Sequence, residues 1–349
     1  MKKRLAFFDT KPYDKASFDK TPGIEKYDIV YFETKLTERS VGLTKGFDAV
    51  CAFVNDELNK TVIDGLHNNG VKFIAMRCAG YNNIDTCHAY GKLRIARVPA
   101  YSPYAVAEHA LALMMTLNRK THKAHIRTRD NNFSIVGLVG MDMKGKTAGV
   151  VGAGKIGRVM AGILAALGMR VLVYDKYEDQ AWAASIGATY TTLDELYAAS
   201  DIITLHCPLT DDSFHMINDD SIELMKPTVM LINTSRGALI DTKALIKALK
   251  KRRIGSAGLD VYEEESDYFF EDKSADIIDD DVLARLLTFN NVLVTSHQAF
   301  LTNEALENIS ETTVKNLDLF FSGKENPNEI CARCDEGTCD KHLKVKPPR

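Results

Sequence analysis

The chain has 349 residues, of which 45% are hydrophobic and 26% are charged, and its formal net charge is −3. This length predicts two domains, because single hydrophobic cores stop growing beyond ~250–300 residues. The charge balance lacks the basic footprint of a nucleic-acid-binding protein, so we expect no nucleic acid partner. No apolar run approaches the ~18–20 residues that a membrane span needs. Asp9 also ends the first apolar run too early for a secretory signal.

The seven cysteines predict a reducing environment. Four of them are scattered singly, at Cys51, Cys78, Cys87 and Cys207. An odd number without a framework spacing is typical of reduced thiols in a cytoplasmic protein. The other three lie near the end of the chain with one histidine: Cys331, Cys334, Cys339 and His342. Their spacing matches none of the common zinc sites, so we expect no metal and a mobile, charged extension over 332–349.

Short apolar runs bounded by turn residues recur through the first hundred residues. Helix-length amphipathic stretches, such as 61–68, separate most of them. This alternation predicts an α/β domain with a parallel sheet. The predicted strands are Leu5–Phe8, Ile29–Phe32, Ala49–Val54, Val71–Met76 and Ile95–Val98.

A longer segment, from about Tyr104 to His125, breaks this rhythm. Ser102-Pro103 supplies a helix start signal before it. Its apolar residues recur at helical spacing, at Val106, Ala110, Leu113, Met114 and Leu117. We therefore predict one long helix at the connection between two domains.

From Thr147 the strand–helix alternation resumes and predicts a second doubly wound sheet. A final helix over roughly 304–321 lies beyond this sheet, and we expect the chain to return there to the first domain. The predicted strands of the second sheet are Ala148–Val151, Val171–Tyr174, Ile202–Leu205, Val229–Asn233, Ala257–Val261 and Val292–Thr295.

The strongest local motif is a glycine loop between the first strand of the second sheet and an amphipathic helix. It has the form G-x-G-x-x-G and consists of Gly152, Ala153, Gly154, Lys155, Ile156 and Gly157. Such a loop permits a tight turn, close approach to a pyrophosphate and close helix–strand packing. The next strand ends in Asp175, about 20 residues past the glycines, where an acid accepts hydrogen bonds from ribose hydroxyls and repels a 2′-phosphate. The sequence therefore predicts an NAD site.

Two polar side chains follow predicted strands of the same sheet, where open α/β sheets bind ligands. Arg236 follows the strand that ends at Asn233, and a guanidinium matches a carboxylate bidentately. His297 follows the last strand, and histidine is a natural general acid/base near neutral pH. Glu265 lies in the acidic run 263–265, which local sequence does not distinguish from a solvated loop.

Seven motifs, in order along the chain, resemble those of the D-isomer-specific 2-hydroxyacid dehydrogenases, and within that family those of the fermentative D-lactate dehydrogenases. The resemblance extends from Met1 to about Ile330. The motifs are Arg77–Asp85, Val98–Pro103, the glycine loop, Leu205–Thr210, Asn233–Ala238, Gly258–Glu263 and Ser296–Phe300.

The resemblance implies the roles of the reacting residues. Arg236 would bind the substrate carboxylate and keto oxygen, and His297 would exchange the proton. Glu265 would be the acidic partner that stabilises the protonated imidazole, whereas the formate dehydrogenases of the same superfamily have glutamine there. Residues implied to contact the substrate are Cys78 and Ala79 through their backbone amides, Tyr101, and the pocket walls Phe53 and Phe300.

The resemblance also implies the cofactor contacts and the domain arrangement. Besides the glycine loop and Asp175, the implied contacts are Cys207, Pro208, Ser213, Thr234, Ser235 and Asp260. Ser213 departs from the asparagine of some relatives. We expect a Rossmann NAD-binding domain over 101–298, inserted into a flavodoxin-like substrate domain made of 1–100 and 299–331. The active site would lie in the cleft between them.

The expected reaction is the reversible reduction of pyruvate to D-lactate with NADH. Two alternatives stay open: a dehydrogenase that prefers a bulkier 2-keto acid, and an NADH-sensing protein like the corepressors of this superfamily. The D handedness comes from the resemblance alone. A homo-oligomer, either a dimer or a tetramer, is also expected.

Overall fold

The computed structural model describes residues 2–264 and 268–331. The chain divides into two compact units. Among the described residues, the first unit comprises 2–102 and 301–331, and the second comprises 103–264 and 268–300. These boundaries fall two residues after those expected from the sequence. Four residues singled out above, Glu265, Cys334, Cys339 and His342, lie outside the described residues.

The first unit contains a six-stranded sheet in the order β13-β5-β4-β3-β1-β2. Strands β1 to β5 pair in parallel, and β13 pairs antiparallel to β5 at the edge. The order 2-1-3-4-5 is that of a flavodoxin-like sheet, as the sequence predicted. The strands are β1 (Lys3–Phe7), β2 (Tyr27–Tyr31), β3 (Ala49–Ala52), β4 (Phe73–Met76), β5 (Arg94–Ala96) and β13 (Glu329–Ile330).

The late helix α12 belongs to the core of the first unit, as its apolar face requires. Val314 and Leu317 of this helix pack with Phe18 of α1 against the buried residues of the sheet. Asn316, also buried, donates from Nδ2 to the carbonyl of Arg97 at 3.0 Å. The helices of this unit are α1 (Pro12–Phe18), α2 (Lys60–Asn68), α3 (Thr86–Ala89) and α12 (Asn303–Phe321).

The second unit contains a seven-stranded parallel sheet in the order β12-β11-β10-β9-β6-β7-β8. This order is that of a Rossmann sheet, and it places β6, which precedes the glycine loop, in the interior between β9 and β7. The short edge strand β8 was not predicted. The strands are β6 (Thr147–Val151), β7 (Arg170–Tyr174), β8 (Thr189–Tyr190), β9 (Ile202–Leu205), β10 (Met230–Asn233), β11 (Ser256–Leu259) and β12 (Val292–Val294).

Both faces of this sheet are buried, which explains why its strands are continuous apolar runs. Alternate residues of each strand enter two separate cores, since successive side chains of a strand point to opposite faces. On β9, for example, Ile203 and Leu205 enter one core and Ile202 enters the other. The prediction of two doubly wound α/β domains is therefore confirmed.

The single helix predicted over 104–125 is wrong. Lys120 adopts a left-handed conformation with φ +50°, and it separates α4 from α5. Eight helices flank the described part of this sheet: α4 (Pro103–Arg119), α5 (Thr121–Arg129), α6 (Lys155–Ala166), α7 (Gln180–Ser185), α8 (Leu193–Ala199), α9 (Asp219–Leu224), α10 (Thr242–Lys250) and α11 (Asp281–Leu287). None of the helices in the described part of the chain is both long and apolar enough to span a bilayer.

The glycine loop packs α6 tightly against the end of β6. Gly152 has φ +98°, which favours glycine. A Cβ on Gly157 would lie 1.8 Å from the carbonyl oxygen of Gly152, so no larger residue fits without moving the backbone. At Gly162, further along α6, no atom other than those of the adjacent residues and the helix's own backbone lies within 4 Å of the corresponding position. The same helix therefore contains one glycine that packing requires and one that it does not.

Replacing Gly157 by alanine should destabilise the protein by about 3 kcal/mol or more, since the new methyl group would displace main chain. Gly162→Ala is the matched control, and it should be neutral or stabilising by about 0.5–1 kcal/mol because alanine has the better helix propensity. Urea unfolding of both variants measures the difference. Equal effects would show that the close approach at Gly157 does not constrain the fold.

Candidate active site

The predicted functional residues of the second unit converge at one edge of its sheet. The strands end at the same level, because the register pairs Val151 with Tyr174 and Leu205, Asn233 with Leu205 and Leu259, and Leu259 with Val294. The segments that follow these residues carry the glycine loop, Asp175, Cys207, Thr234 to Arg236, Asp260 and His297. Ligands of open α/β sheets bind at this carboxyl edge.

The glycine loop fits a dinucleotide. Gly154 is the N-cap of the twelve-residue helix α6, and no atom lies within 4 Å of where its Cβ would be. This open space allows a phosphate to approach the backbone at the positive end of the helix. The Asp175 carboxylate accepts hydrogen bonds from the amides of Ala153 at 2.6 Å and Tyr177 at 2.8 Å, so it is held beside the loop.

The loops after β9 and β10 are joined by hydrogen bonds. Ser235 Oγ donates to the carbonyl of Cys207 at 2.7 Å, and Ser213 Oγ donates to the carbonyl of Pro208 at 2.8 Å. Both hydroxyls thus bind main chain, and Ser213 supports the loop whatever its contact with a cofactor. The buried Thr234 hydroxyl has no hydrogen-bond partner among the described residues, as expected for a group that meets a ligand.

His206 lies beneath the glycine loop and is neutral. Its backbone carbonyl lies 2.7 Å from the position of a Cβ on Gly152, and its Nε2 is 2.9 Å from the Thr204 hydroxyl. Burial lowers the pKa of His206 to about 4. A neutral histidine here adds no positive charge under the loop and supports its backbone by packing.

Arg236 is half-buried in a loop that the Asn233 side chain holds in shape. Asn233 accepts the amide of Ser235 at 3.0 Å and donates to the carbonyl of Arg236 at 2.8 Å. The Arg236 guanidinium donates from Nη1 to the carbonyl of Ser235 at 2.7 Å. One of its five donors is thereby used locally, which restrains the side chain near the edge of the sheet.

The Arg236 loop touches the segment that leads to Glu265. A Cβ on Gly237 would lie 2.2 Å from the backbone carbonyl of Tyr262, so the two main chains are in direct contact. Glu263 binds His215 Nε2 at 2.6 Å and accepts the amide of Thr242 at 2.9 Å. The first member of the acidic run is therefore a structural anchor and not a solvated charge.

Asp260 is the most heavily bonded group at this edge. Its carboxylate is fully buried and accepts the amides of Gln298 at 3.0 Å and Ala299 at 2.8 Å, and the hydroxyl of Thr295 at 2.5 Å. His109 Nε2, on α4, lies 3.3 Å from Oδ1. Burial opposes ionisation, but these donors outweigh it and hold the pKa of Asp260 below its usual range. The carboxylate is therefore charged at neutral pH and bound by protein groups.

His297 lies in the loop that wraps around Asp260. Its amide donates to the Asp260 carbonyl at 2.8 Å, and its φ of +47° is in the left-handed region. Its ring centroid is 5.8 Å from that of Phe270, and the Phe270 amide donates to Ser296 Oγ at 3.3 Å. The described residues on either side of Glu265 thus contact the Arg236 loop and the His297 loop, while Glu265 itself is outside the described residues.

The predicted substrate residues of the first unit also follow neighbouring strands. Phe53 comes directly after β3, and Cys78 and Ala79 follow β4, whose last residue pairs with Ala52. The Ala79 carbonyl accepts a hydrogen bond from Arg97 Nη1 at 2.6 Å, which fixes this turn. Tyr101 is half-buried near the end of the first segment of this unit, whereas Phe300 is buried at the end of the second unit.

Sequence reasoning missed three residues with structural roles at these edges: His109, His215 and Glu263. His109 had a usable signal, because it lies three residues after Val106 and four before Leu113, inside the apolar stripe of α4. The pairing of His215 with Glu263 joins residues 48 positions apart, and no local pattern indicates it. No group of three or more potential metal ligands occurs within 2–264 and 268–331.

Residues 111–299 match the model of the D-isomer specific 2-hydroxyacid dehydrogenase NAD-binding domain. The chain is 51% identical to the D-lactate dehydrogenase of Escherichia coli over 94% of this chain and 99% of that protein. The apo structure of E. coli D-lactate dehydrogenase superposes with a TM-score of 0.87 at 48% identity, over 94% of this chain and 99% of that chain. A pyruvate reductase of Chlamydomonas reinhardtii gives a TM-score of 0.89 at 43% identity, over 94% and 98%.

The matched family model covers more than half of the chain, and the E. coli relative extends over both units. The second unit, with its open glycine loop and Asp175, is an NAD-binding domain. The chain belongs to the D-isomer-specific 2-hydroxyacid dehydrogenase family.

Proposed function

We propose that this chain is a cytoplasmic NAD-dependent D-lactate dehydrogenase that reversibly reduces pyruvate to D-lactate. The observation that carries the proposal is the 51% identity to the E. coli D-lactate dehydrogenase over 99% of that protein. Bound NADH supplies the hydride. The chain itself binds the keto acid, orients it and exchanges the proton at the new hydroxyl.

Arg236 is proposed to bind the substrate carboxylate and to polarise the keto oxygen. Its half-buried position supports this role, because a charged hydrogen bond is stronger where water is excluded. The hydrogen bonds of Asn233 fix the loop before the substrate arrives, which lowers the entropic cost of binding.

His297 is proposed as the group that donates the proton in reduction and accepts it in oxidation. Asp260 supports this role because it accepts the Thr295 hydroxyl before the imidazole and the amides of His297 and Gln298. Glu265 is proposed to stabilise the protonated ring. The fixed Glu263 before it and the Phe270–His297 contact after it support this pairing.

The cofactor is proposed to bind along the sheet edge of the second unit. The pyrophosphate would lie at the N-terminus of α6, against Gly154, Lys155 and Ile156, and the adenosine ribose would bind Asp175. The loops after β9 and β10 would complete the site with Cys207, Pro208, Ser213, Thr234 and Ser235. The resemblance also implies a cofactor contact for Asp260, but both of its carboxylate oxygens bind protein groups, so we propose that it supports the site through the His297 loop. Gly152 and Gly157 serve it indirectly, since they allow the turn and the close packing.

The substrate contacts carried by the first unit are proposed from the family motif. The amides of Cys78 and Ala79 would hold the carboxylate, Tyr101 would orient the substrate, and Phe53 would limit the room for its side chain. Phe300 of the second unit is proposed as a further wall. The restrained Ala79 turn supports this assignment.

The proposed function predicts that purified protein reduces pyruvate at about 1–10³ s⁻¹ with NADH and yields D-lactate. NADH absorbance and chiral analysis of the product measure this with a panel of pyruvate, 2-ketobutyrate, 2-ketoisocaproate and hydroxypyruvate.

His297→Asn should lower kcat about 10²–10⁴-fold because it removes the proton donor. His125→Asn, at an exposed position on α5, is the matched control and should leave kcat unchanged.

Three results would contradict the proposal in different ways. A preference for 2-ketoisocaproate would assign the enzyme to bulkier substrates. An L-lactate product would reject the handedness. NADH binding with turnover below ~1 s⁻¹ for every keto acid would favour a sensor.

We also propose that the chain forms a homo-oligomer, either a dimer or a tetramer, through the loop after α5. Phe133, Ile135, Val136 and Val139 are 75%, 80%, 79% and 83% exposed. The loop is held in place, since Arg127 donates to the Val136 carbonyl at 2.8 Å. Exposed apolar patches on an ordered segment are typical of subunit contacts.

Light scattering tests this proposal. The wild-type mass should be a multiple of the 38.8 kDa chain, and Val136→Asp should lower it. Ile277→Asp, at another exposed apolar residue, is the control and should not change it. A 38.8 kDa wild-type species would contradict the proposal.

A further inference from the structure

Four charged side chains are buried together at the carboxyl edge of the first unit's sheet, and the proposed function uses none of them. Arg77 is 2% exposed, and Asp9, Asp14 and Asp56 are 1%, 6% and 1% exposed. We call them the Arg77 cluster. Charges are almost never fully buried unless they are paired, because their desolvation costs several kcal/mol each. Because the desolvation of these four groups costs so much free energy, their position beside the turn proposed to bind the substrate needs an explanation.

The contacts of Arg77 fix its guanidinium from several directions. Nη2 donates to the Asp9 carbonyl at 2.7 Å, and Nε is 3.4 Å from Asp14 Oδ1. The guanidinium carbon lies 4.6 Å from the ring centroid of Phe7 and 4.8 Å from that of Phe53. Burial opposes the charge, but the surrounding carboxylates outweigh it and raise the pKa of Arg77 above its usual value. The residue is a permanent, immobile cation.

The same cluster holds Phe53 through its backbone. The Phe53 amide donates to Asp56 Oδ2 at 2.6 Å, and Asn83 Nδ2 donates to the Phe53 carbonyl at 3.0 Å. Asp56 also accepts the amide of Leu36 at 2.6 Å, so the carboxylate connects two loops. Main chain and ring of Phe53 are thus both restrained by buried charged groups.

Arg77 is also anchored through its backbone, directly before the two residues that are proposed to hold the substrate carboxylate. Its amide donates to the Ala52 carbonyl at 3.1 Å, one residue before Phe53, and it directly precedes Cys78 and Ala79. One residue is therefore joined directly to the backbone proposed to hold the substrate carboxylate and also contacts the ring of Phe53, the proposed wall of the substrate pocket.

We propose that Arg77 is a positioning residue that sets the preference for 2-keto acids with a small side chain. It does so by fixing the Phe53 ring relative to the Cys78–Ala79 backbone. This inference rests on the proposed function, in which Phe53 and these amides contact the substrate. A planar guanidinium can stack on rings and donate in its own plane at once, whereas the ammonium of lysine cannot replace both contacts.

The test is the ratio of kcat/KM for pyruvate to kcat/KM for 2-ketoisocaproate, measured with wild type and Arg77→Lys. We expect the ratio to fall about tenfold, the discrimination that a pocket obtains from roughly one methylene group. The KM for pyruvate should rise, and the KM for NADH should stay unchanged because no cofactor contact is altered. A merely structural role would lower thermal stability without changing the ratio.

Arg94→Lys is the matched control. Arg94 is another arginine of the first unit, 2.6 Å from Glu329 and 5.2 Å from the ring centroid of Phe320, but it touches neither Phe53 nor the 78–79 backbone. This variant should keep the wild-type ratio. An equal fall in both variants would overturn the proposal, and so would an unchanged ratio in folded Arg77→Lys.

If Arg77→Lys does not fold, Asp14→Asn decides the question. It removes the ion pair to Arg77 and retains an oxygen for the Lys11 amide, which now donates at 3.1 Å to Oδ2. We expect a fall in the ratio of about threefold in the same direction. An unchanged ratio would overturn the proposal. A wild-type protein that reduces no keto acid would instead reject the proposed function.

Discussion

The loops at the carboxyl edge of the second unit's sheet depend on the hydrogen bonds to the buried carboxylate of Asp260. This carboxylate accepts hydrogen bonds from two backbone amides and a hydroxyl that would otherwise be buried without partners, and His109 makes a fourth contact with it. An unpaired buried charge would cost several kcal/mol, so the loop of residues 295–299 must close around it. His297 is a member of that loop, and its left-handed backbone is maintained by the bonds on either side.

The first unit is also organised by a buried charge, but there the charge is positive. A buried cation, Arg77, organises the turn after β4 as Asp260 organises the loop after β12. Both groups follow parallel strands at the carboxyl edge of a sheet, where successive loops lie side by side. Each unit therefore fixes a loop at the carboxyl edge of its sheet with a charge that water does not reach. Loops on such edges carry function because the sheet beneath them is rigid.

Much of this fold could be predicted from the sequence, because continuous apolar strands and a glycine loop are local signals. The predicted strands of both sheets were found, and the Rossmann and flavodoxin-like orders were confirmed. Three elements could not be predicted. The edge strands β8 and β13 have two residues each and no periodicity. The break at Lys120 interrupts a pattern that remains apolar on one face, so only the backbone conformation reveals it.

The positions of Arg236, His297 and Asp175 at one edge of the sheet could be predicted, because each of them follows a strand. Their roles in the reaction stay predictions. The supporting groups could not be found this way, since their partners are distant in sequence. Glu263 looks like part of a solvated acidic run, and only its contacts with His215 and Thr242 show that it is an anchor. Arg77 stands in a recognised motif, but its burial with three carboxylates depends on the segments after β1, β3 and β4, which meet only in the folded chain.

The most direct test of this account is Asp260→Asn, with kcat for pyruvate reduction and NADH affinity measured side by side. If Asp260 acts by holding the His297 loop, kcat should fall about 10–100-fold, since charged hydrogen bonds to buried groups contribute ~1.5–3 kcal/mol. The Kd for NADH, from fluorescence titration, should then stay within about threefold of wild type. A normal kcat with strongly weakened NADH binding would contradict the account and make Asp260 a cofactor contact instead.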